Sequence, residues 1–176
     1  EAGSNNGNTH FNGEKPQAFV LSENDYTNET FKATLKLDSD ISDARVQIVT
    51  KFVDTSEWSF LGFNTGGRWF LQWANGWEAL GGLPSASQGD VLEISISYED
   101  NGCKISVENK TTGAEGSVTT TNENFLALKG KSGKVGFGAS HWSVGTAYYF
   151  GDVKVGNADR SDMANIGANT VVTNND

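Results

Sequence analysis

Apolar and polar residues alternate along several stretches of the chain, and this alternation predicts strands. Between positions 31 and 37, apolar Phe, Ala and Leu residues alternate with Lys and Thr. Such a period of two gives a strand one buried face and one wet face. Similar stretches lie at 45–51, 92–99, 134–139 and 147–155, and none keeps a helical period for three turns. Many short strands joined by Gly and Asn turns predict an all-β fold of two antiparallel sheets packed as a sandwich.

The same pattern divides the chain into a body and two flanking segments. Residues 1–15 are rich in Asn and Gly, which predicts a flexible N-terminal arm. Residues 156–176 are also polar and irregular, as expected of a linker or of an ordinary frayed terminus. We therefore expect the sandwich to occupy residues 16–155.

Length, charge and cysteine content exclude several classes of function. The chain has 176 residues and a formal net charge of −9, so one domain is expected and a nucleic-acid partner is not. No apolar run approaches the roughly 18 residues that would span a bilayer. Cys103 is the single cysteine, which excludes a disulfide framework and a cysteine-based zinc site.

Four of the five tryptophans fall between positions 58 and 77. Asn75 and Gly76 predict a two-residue turn, which would place Ala74 opposite Trp77. The hairpin then has two unlike faces, and we expect the bulkier one to pack in the core. The expected core face carries Trp69, Leu71, Trp73 and Leu80, and the other face carries Phe70, Gln72, Trp77 and Ala79.

An exposed aromatic ring beside polar side chains suits a sugar, whose C–H face stacks on the ring while its hydroxyls need hydrogen-bonding partners. The candidate ligand-binding residues are therefore Trp77 and Gln72, with Arg68 and Asn75 near the rim. His141 and Trp142 lie in a predicted loop and either add a second stacking surface or cover the end of the sandwich. The alternative for the whole cluster is that every tryptophan serves packing.

The order of these pieces resembles the concanavalin A-like lectin/glucanase superfamily, in particular its laminin-G-like and carbohydrate-binding modules. The pieces are the strand TFKATLKL, the stretch WSFLGFNTGGRWFLQW, the hairpin DVLEISISYEDNGCKISVEN and the strands GKVGFGA and YYFGDVKV. The resemblance covers roughly residues 19–155. It implies a jelly roll of two curved sheets, an extracellular or cell-surface location and often a structural calcium ion.

Carboxylates are the natural candidates for calcium binding and for catalysis. Asp38, Asp40 and Asp43 cluster at a predicted strand end, where loop oxygens can bind Ca²⁺ or simply be solvated. Asp152 lies in the closing strand, where members of the superfamily often place a calcium ligand. The glycosidases of this superfamily carry Glu-x-Asp-x-(x)-Glu on one strand, and no such motif occurs here, which argues against catalysis by that mechanism.

These observations predict a non-catalytic carbohydrate-binding module of a larger extracellular glycan-active or adhesive protein. Its partners would be a glycan or polysaccharide and the other modules of the parent protein. A laminin-G-like protein-binding or structural module is the first alternative. A glycoside hydrolase with an atypical carboxylate pair is the second.

Overall fold

The computed structural model describes residues 9–11, 15–37, 44–63, 68–141, 148–156, 158–159 and 170–171. Within these ranges, side chains are described at 20–37, 46–63, 68–138, 148 and 150–156. The elements in chain order are β1 (Thr9–Phe11), β2 (Lys15–Leu21), β3 (Phe31–Leu37), β4 (Ala44–Asp54), β5 (Glu57–Phe63), β6 (Trp69–Trp73), β7 (Gly76–Leu80), β8 (Val91–Glu99), β9 (Gly102–Asn109), β10 (Glu115–Thr120), α1 (Glu123–Leu126), β11 (Lys134–His141), β12 (Tyr148–Val155), β13 (Ala158–Asp159) and β14 (Thr170–Val171).

The strands form two antiparallel sheets, as the alternating pattern predicts. The first sheet has the strand order β1-β2-β11-β4-β5-β6-β7. The second has the order β10-β9-β8-β3-β12-β13, and β14 also pairs with β12. Strands β1, β13 and β14 lie outside residues 16–155, so strand pairing reaches into both predicted flanking segments. In the described part of the chain, no helix has the length and hydropathy needed to cross a bilayer.

The core lies between the two sheets and is dominated by aromatic and branched aliphatic side chains. Phe137 of the first sheet stacks on Phe150 of the second, with ring centroids 4.3 Å apart. Tyr148 is fully buried, and its hydroxyl donates to the carbonyl oxygen of Gly138 at 2.9 Å across the interior. The Trp69 indole is also buried and donates to the carbonyl oxygen of Pro84 at 2.8 Å, so both buried polar atoms are satisfied.

The two hairpins that contain an Asn-Gly pair both form, but each turn lies one residue earlier than a two-residue Asn-Gly turn would. Trp73 pairs with Gly76 around Ala74 and Asn75, and Glu99 pairs with Gly102 around Asp100 and Asn101. Neither glycine has a positive φ. An added Cβ at Gly76 would lie 3.1 Å from the Trp73 ring, and one at Gly102 would lie 2.5 Å from the carbonyl oxygen of Thr120. Gly102 is therefore needed for close approach, a side chain at position 76 would crowd the Trp73 ring, and neither glycine serves a left-handed turn.

Candidate functional site

The β6–β7 hairpin has the two faces that the sequence predicts, although its register differs by two residues. Gln72 pairs with Trp77, where the predicted turn would have paired it with Ala79. A shift of two residues leaves every side chain on its predicted face, because side chains alternate with a period of two. Trp69 and Leu71 are buried in the core, and Trp73 and Leu80 pack against it. Trp77 is 68% exposed.

A second apolar cluster lies on the outer face of the first sheet, the face that points away from the second sheet. Phe60 of β5 pairs with Gln72 on one side and with Val49 of β4 on the other. The Trp58 ring stacks on the Phe60 ring, with centroids 4.4 Å apart and an interplanar angle of 23°. Phe52 and Ala74 pack against this cluster. The strand pair beneath Trp77 is thus supported by rings on both faces.

A buried amide lies beside this cluster, and the sequence analysis did not include it among the candidates. Gln47 of β4 is fully buried, and its Nε2 donates to Gln72 Oε1 at 3.5 Å. The two side chains reach each other across β5 because Gly62, which pairs with Gln47, has no side chain. The ring of Phe70 lies over Gly62, since a Cβ built there would be 2.2 Å from the ring. Gln47 could be recognised only once the strand order was known.

Arg68 and Asn75, the two residues predicted near the rim of the site, lie at opposite ends of β6. Both are exposed. Arg68 has the same strand parity as Gln72, which places the two on one face about 13 Å apart along the strand. His141 ends β11, where its backbone pairs with Ala44. The side chain of His141 and the whole of Trp142 lie outside the described residues, so their role as a second stacking surface stays a prediction.

The proposed calcium ligands remain untested. Asp38, Asp40 and Asp43 lie outside the described residues. Asp152 is exposed and has a φ of 50°, at a point where the pairing of β12 with β3 shifts in register between Gly151 and Lys154. Its described partner is Thr34, whose Oγ1 donates to Asp152 Oδ2 at 3.5 Å. Among the described side chains, no group of three or more His, Cys, Asp or Glu residues could hold a metal ion.

The outer face of the second sheet has a different chemistry. It lines an open groove of about 860 Å³ whose walls are hydroxyl and charged side chains. The strand registers arrange these side chains in rows that cross the sheet. One row consists of Ser95, Ser106 and Ser117, and the next consists of Glu93, Glu108 and Glu115.

Lys110 offsets part of the negative charge in the glutamate row. Its Nζ lies 3.6 Å from Glu93 and 3.1 Å from Glu108. The hydrogen bond to Glu108 and the charges of both carboxylates raise the pKa of Lys110. The two facing glutamates therefore share one cation, which offsets part of their charge.

The most deeply buried titratable groups belong to the core. Burial raises the pKa of the Cys103 thiol to about 12, and it also raises the pKa of Tyr148. Burial lowers the pKa of Lys51, whose ammonium donates to the carbonyl oxygens of Tyr26 and Lys131 at 3.2 and 2.6 Å. These groups stabilise the packing of loops and sheets, and none of them contacts the Trp77 face.

Comparison with solved structures places the fold among lectin-like sandwiches. Scytalido-glutamic peptidase matches with a TM-score of 0.57 at 16% identity, over 93% of this chain and 91% of its own. The carbohydrate-binding module CBM66 from Bacillus subtilis matches with a TM-score of 0.54 at 10% identity, over 80% and 82% of the two chains. The Lotus tetragonolobus seed lectin matches with a TM-score of 0.53 at 9% identity, over 90% and 93%.

These likenesses confirm a two-sheet antiparallel jelly-roll sandwich as the fold of this chain. Neither a protein-family model nor a curated protein sequence matches the chain. At such low identities the shared feature is the fold alone, and this fold carries both peptidases and glycan-binding proteins. The function must therefore be argued from the side chains of this chain.

Proposed function

We propose that the chain is a non-catalytic carbohydrate-binding module of a larger extracellular glycan-active or adhesive protein. The observation that carries the proposal is Trp77, which is 68% exposed and pairs across the hairpin with Gln72. In the described part of the chain, Val53 is the one other large apolar side chain that is exposed, at 37%. A lone, well-supported indole beside an amide is what a stacked pyranose requires.

The arrangement also determines how tightly such a module should bind. One stacking ring and a few hydrogen bonds to hydroxyl groups give a weak single site, with a Kd on the order of micromolar to millimolar. Weak sites become useful when several modules of one protein bind the same polymer. The neighbours that are named as a lectin and a carbohydrate-binding module support a glycan ligand at the level of the fold.

The described side chains favour binding over catalysis. Hydrolysis of a glycosidic bond ordinarily uses a pair of carboxylates that flank the scissile bond. The described outer side chains of β5, β6 and β7 include no Asp or Glu. In the second sheet, Glu93 and Glu108 form a cross-strand pair, but both contact Lys110. Glu93→Gln and Glu108→Gln variants in a turnover assay test whether this pair is catalytic.

A glycan-array screen with matched variants tests the proposal. Trp77→Ala should weaken binding to the recognised glycans by about tenfold or more, because it removes the stacking surface. Val53→Ala serves as the control, since it also shortens an exposed apolar side chain but lies outside the site. Both variants should keep the wild-type melting temperature. Running the array with calcium and with a chelator tests whether the aspartates at 38, 40, 43 and 152 support binding.

The outcomes separate the candidate functions. Loss of binding in Trp77→Ala alone would support a glycan-binding face at the β6–β7 hairpin. Binding that is unchanged in both variants would move the site elsewhere on the sandwich. If no glycan binds under either condition, the proposal is wrong, and a laminin-G-like protein-binding module becomes the leading alternative.

A further inference from the structure

The buried Gln47 carries an inference that rests on the proposed glycan-binding function and deepens it. We propose that Gln47 is a positioning residue that fixes the amide of Gln72 with its Nε2–H₂ group facing the ligand. The site would then select glycans that present a carboxylate, as polymers of uronic acids do. The observations behind this inference are the hydrogen bond between the two amides, the burial of Gln47 and the charges of the surrounding face.

Gln47 has one described hydrogen bond, and this limits the way its amide can point. Its Nε2 donates to Gln72 Oε1, and its own Oε1 is buried without a partner among the described residues. The reverse orientation would leave the buried Nε2–H₂ group unpaired instead. An unpaired buried N–H group is rarer in proteins than an under-satisfied carbonyl oxygen, because the carbonyl loses less. The observed orientation is therefore the favoured one.

The orientation of Gln72 follows from that of Gln47. When Gln72 Oε1 accepts from Gln47, its Nε2–H₂ group must point away from Gln47. Gln72 is half-buried beside the exposed Trp77, so this donor lies where a stacked sugar would sit. An N–H donor favours a group that only accepts, and a carboxylate accepts more strongly than a neutral hydroxyl.

Local packing keeps Gln47 in place. Gly62 and Gly138 pair with Gln47 from the two neighbouring strands, so neither of its direct cross-strand partners has a side chain. The Phe70 ring lies across Gly62 and fills the space beside the amide. A fully buried, laterally confined amide has few rotamers available, which makes it suited to orienting a second side chain.

The charge of this face agrees with an anionic ligand, although the whole chain is acidic. The described outer side chains of β5 to β7 carry no negative charge, and among the described side chains the cation Arg68 lies directly before β6. Arg68 lies about 13 Å from Gln72 along the strand, too far to share one carboxylate with it. A polymer that repeats carboxylates along its length could contact both residues with different sugar units. At physiological salt, charges more than about 8 Å away are largely screened.

The experiment measures selectivity between pairs of polymers that differ only in the carboxylate. The probes are polygalacturonate, alginate and hyaluronate, each beside its carboxyl-reduced form, at about 0.15 M salt. The full chain should bind at least one uronate polymer about tenfold more tightly than its reduced form, since charge-assisted hydrogen bonds are about twice as strong as neutral ones. Gln47→Met keeps the side-chain length but cannot donate, so this ratio should fall to about threefold or less.

A second variant should reverse the preference between a uronate polymer and its carboxyl-reduced form. In Gln47→Glu the introduced carboxylate accepts from Gln72 Nε2, which turns Gln72 Oε1 toward the ligand, so the reduced polymers should now be preferred. Melting temperature and tryptophan fluorescence show whether each variant folds. If Gln47 had only a structural role, substituting it would weaken binding to both members of a polymer pair equally. The ratio of the two affinities would then stay unchanged.

Failure of this inference is distinguishable from failure of the proposed function. If the reduced polymers bind as well as the uronates and Trp77→Ala abolishes both, the site binds glycans but the carboxylate selectivity is wrong. If Gln47→Met keeps the wild-type ratio, Gln47 does not position Gln72. If neither member of any pair binds, both proposals are overturned together.

Discussion

The outer faces of the two sheets differ in whether the side chains that point outward are exposed or buried. On the second sheet, β8 alternates buried and exposed residues, and its outer side chains are hydrophilic groups that line an open groove. On the first sheet, every residue of β5 after Glu57 is buried. One outer face is therefore solvated, and the other has an apolar cluster of its own.

The difference shows where a recognition surface can be rigid. A ring that stacks on a sugar must not move, and Trp77 lies beside a sheet that is packed on both faces. Trp58, Phe60 and Phe70 pack on its outer face, and Trp69 and Leu71 pack on its inner face. The hydroxyl and charged side chains of the second sheet have no such support. Ser106 and Ser117 hydrogen-bond to each other at 3.0 Å, and their neighbours are largely solvated. We expect substitutions on the two faces to differ accordingly in cost.

At neutral pH, the largest effect on stability is expected at Gly62. Gly62→Ala places a Cβ about where the Phe70 ring lies, so the ring must move and the cluster must repack. Overpacking of this kind costs about 1–3 kcal/mol, and the variant should melt several degrees lower. Gly81→Ala is the matched control, because nothing lies within 4 Å of a Cβ at Gly81 and its φ is not positive. Equal melting temperatures for the two variants would show that the outer cluster is loosely packed.

A pH-dependent effect, which appears only in alkaline solution, tests whether the two unlike faces share one cooperative core. Burial raises the pKa of Cys103, on β9 of the second sheet, from 9.0 to about 12. Between those values the unfolded thiol ionises while the folded one stays protonated, so the folded state binds more protons. The free energy of unfolding therefore falls as pH rises from about 9 toward 12, by up to about 1.4 kcal/mol per pH unit from this group.

Cys103→Ala isolates this contribution. The variant should lose less stability per pH unit above pH 9 than the wild type, whatever its stability at neutral pH. Denaturant unfolding followed by tryptophan fluorescence measures it, and the described tryptophans all lie on the first sheet, at Trp58, Trp69, Trp73 and Trp77. Identical slopes for variant and wild type would contradict the buried thiol. An unfolding transition that is seen by circular dichroism but not by tryptophan fluorescence would show that the two sheets do not share one cooperative core.

Much of the architecture could be predicted from the sequence, because alternation is a local signal. Alternation predicts β3, β8 and β9. It also assigns the side chains of β6 to the correct faces, although the register predicted for the β6–β7 hairpin is wrong by two residues. The register itself could not be predicted from the Asn-Gly pairs. Gly76 and Gly102 lie against the Trp73 ring and the Thr120 carbonyl oxygen, contacts that are visible only after folding.

The candidate site was harder to predict than the fold. Trp77 and Gln72 are two positions of one hairpin, so a short-range pattern finds them. Gln47 is 25 residues from Gln72 in sequence, and their strands lie on opposite sides of β5. The two side chains reach each other across β5 only because Gly62 has no side chain at that point. In the sequence, the alternation of 45–51 suggests that Gln47 is on a solvated face. The sequence contains no signal for the second apolar cluster that buries this face.

The smallest effect is expected on the solvated face, where a substitution should improve stability. Glu115 lies on the edge strand β10, directly opposite Glu108, and like charges that face each other across strands are destabilising. Glu115→Lys replaces that repulsion with an attraction, so the free energy of unfolding should rise by about 0.5 kcal/mol, or about 1–2 °C in melting temperature. Glu115→Gln should give roughly half of the gain, and about 1 M salt should remove most of it because it screens exposed charges. A lower melting temperature for Glu115→Lys at low salt would mean that interactions other than the pairing with Lys110 stabilise the glutamate row. The outer face of the second sheet would then not tolerate substitution better than the outer face of the first sheet.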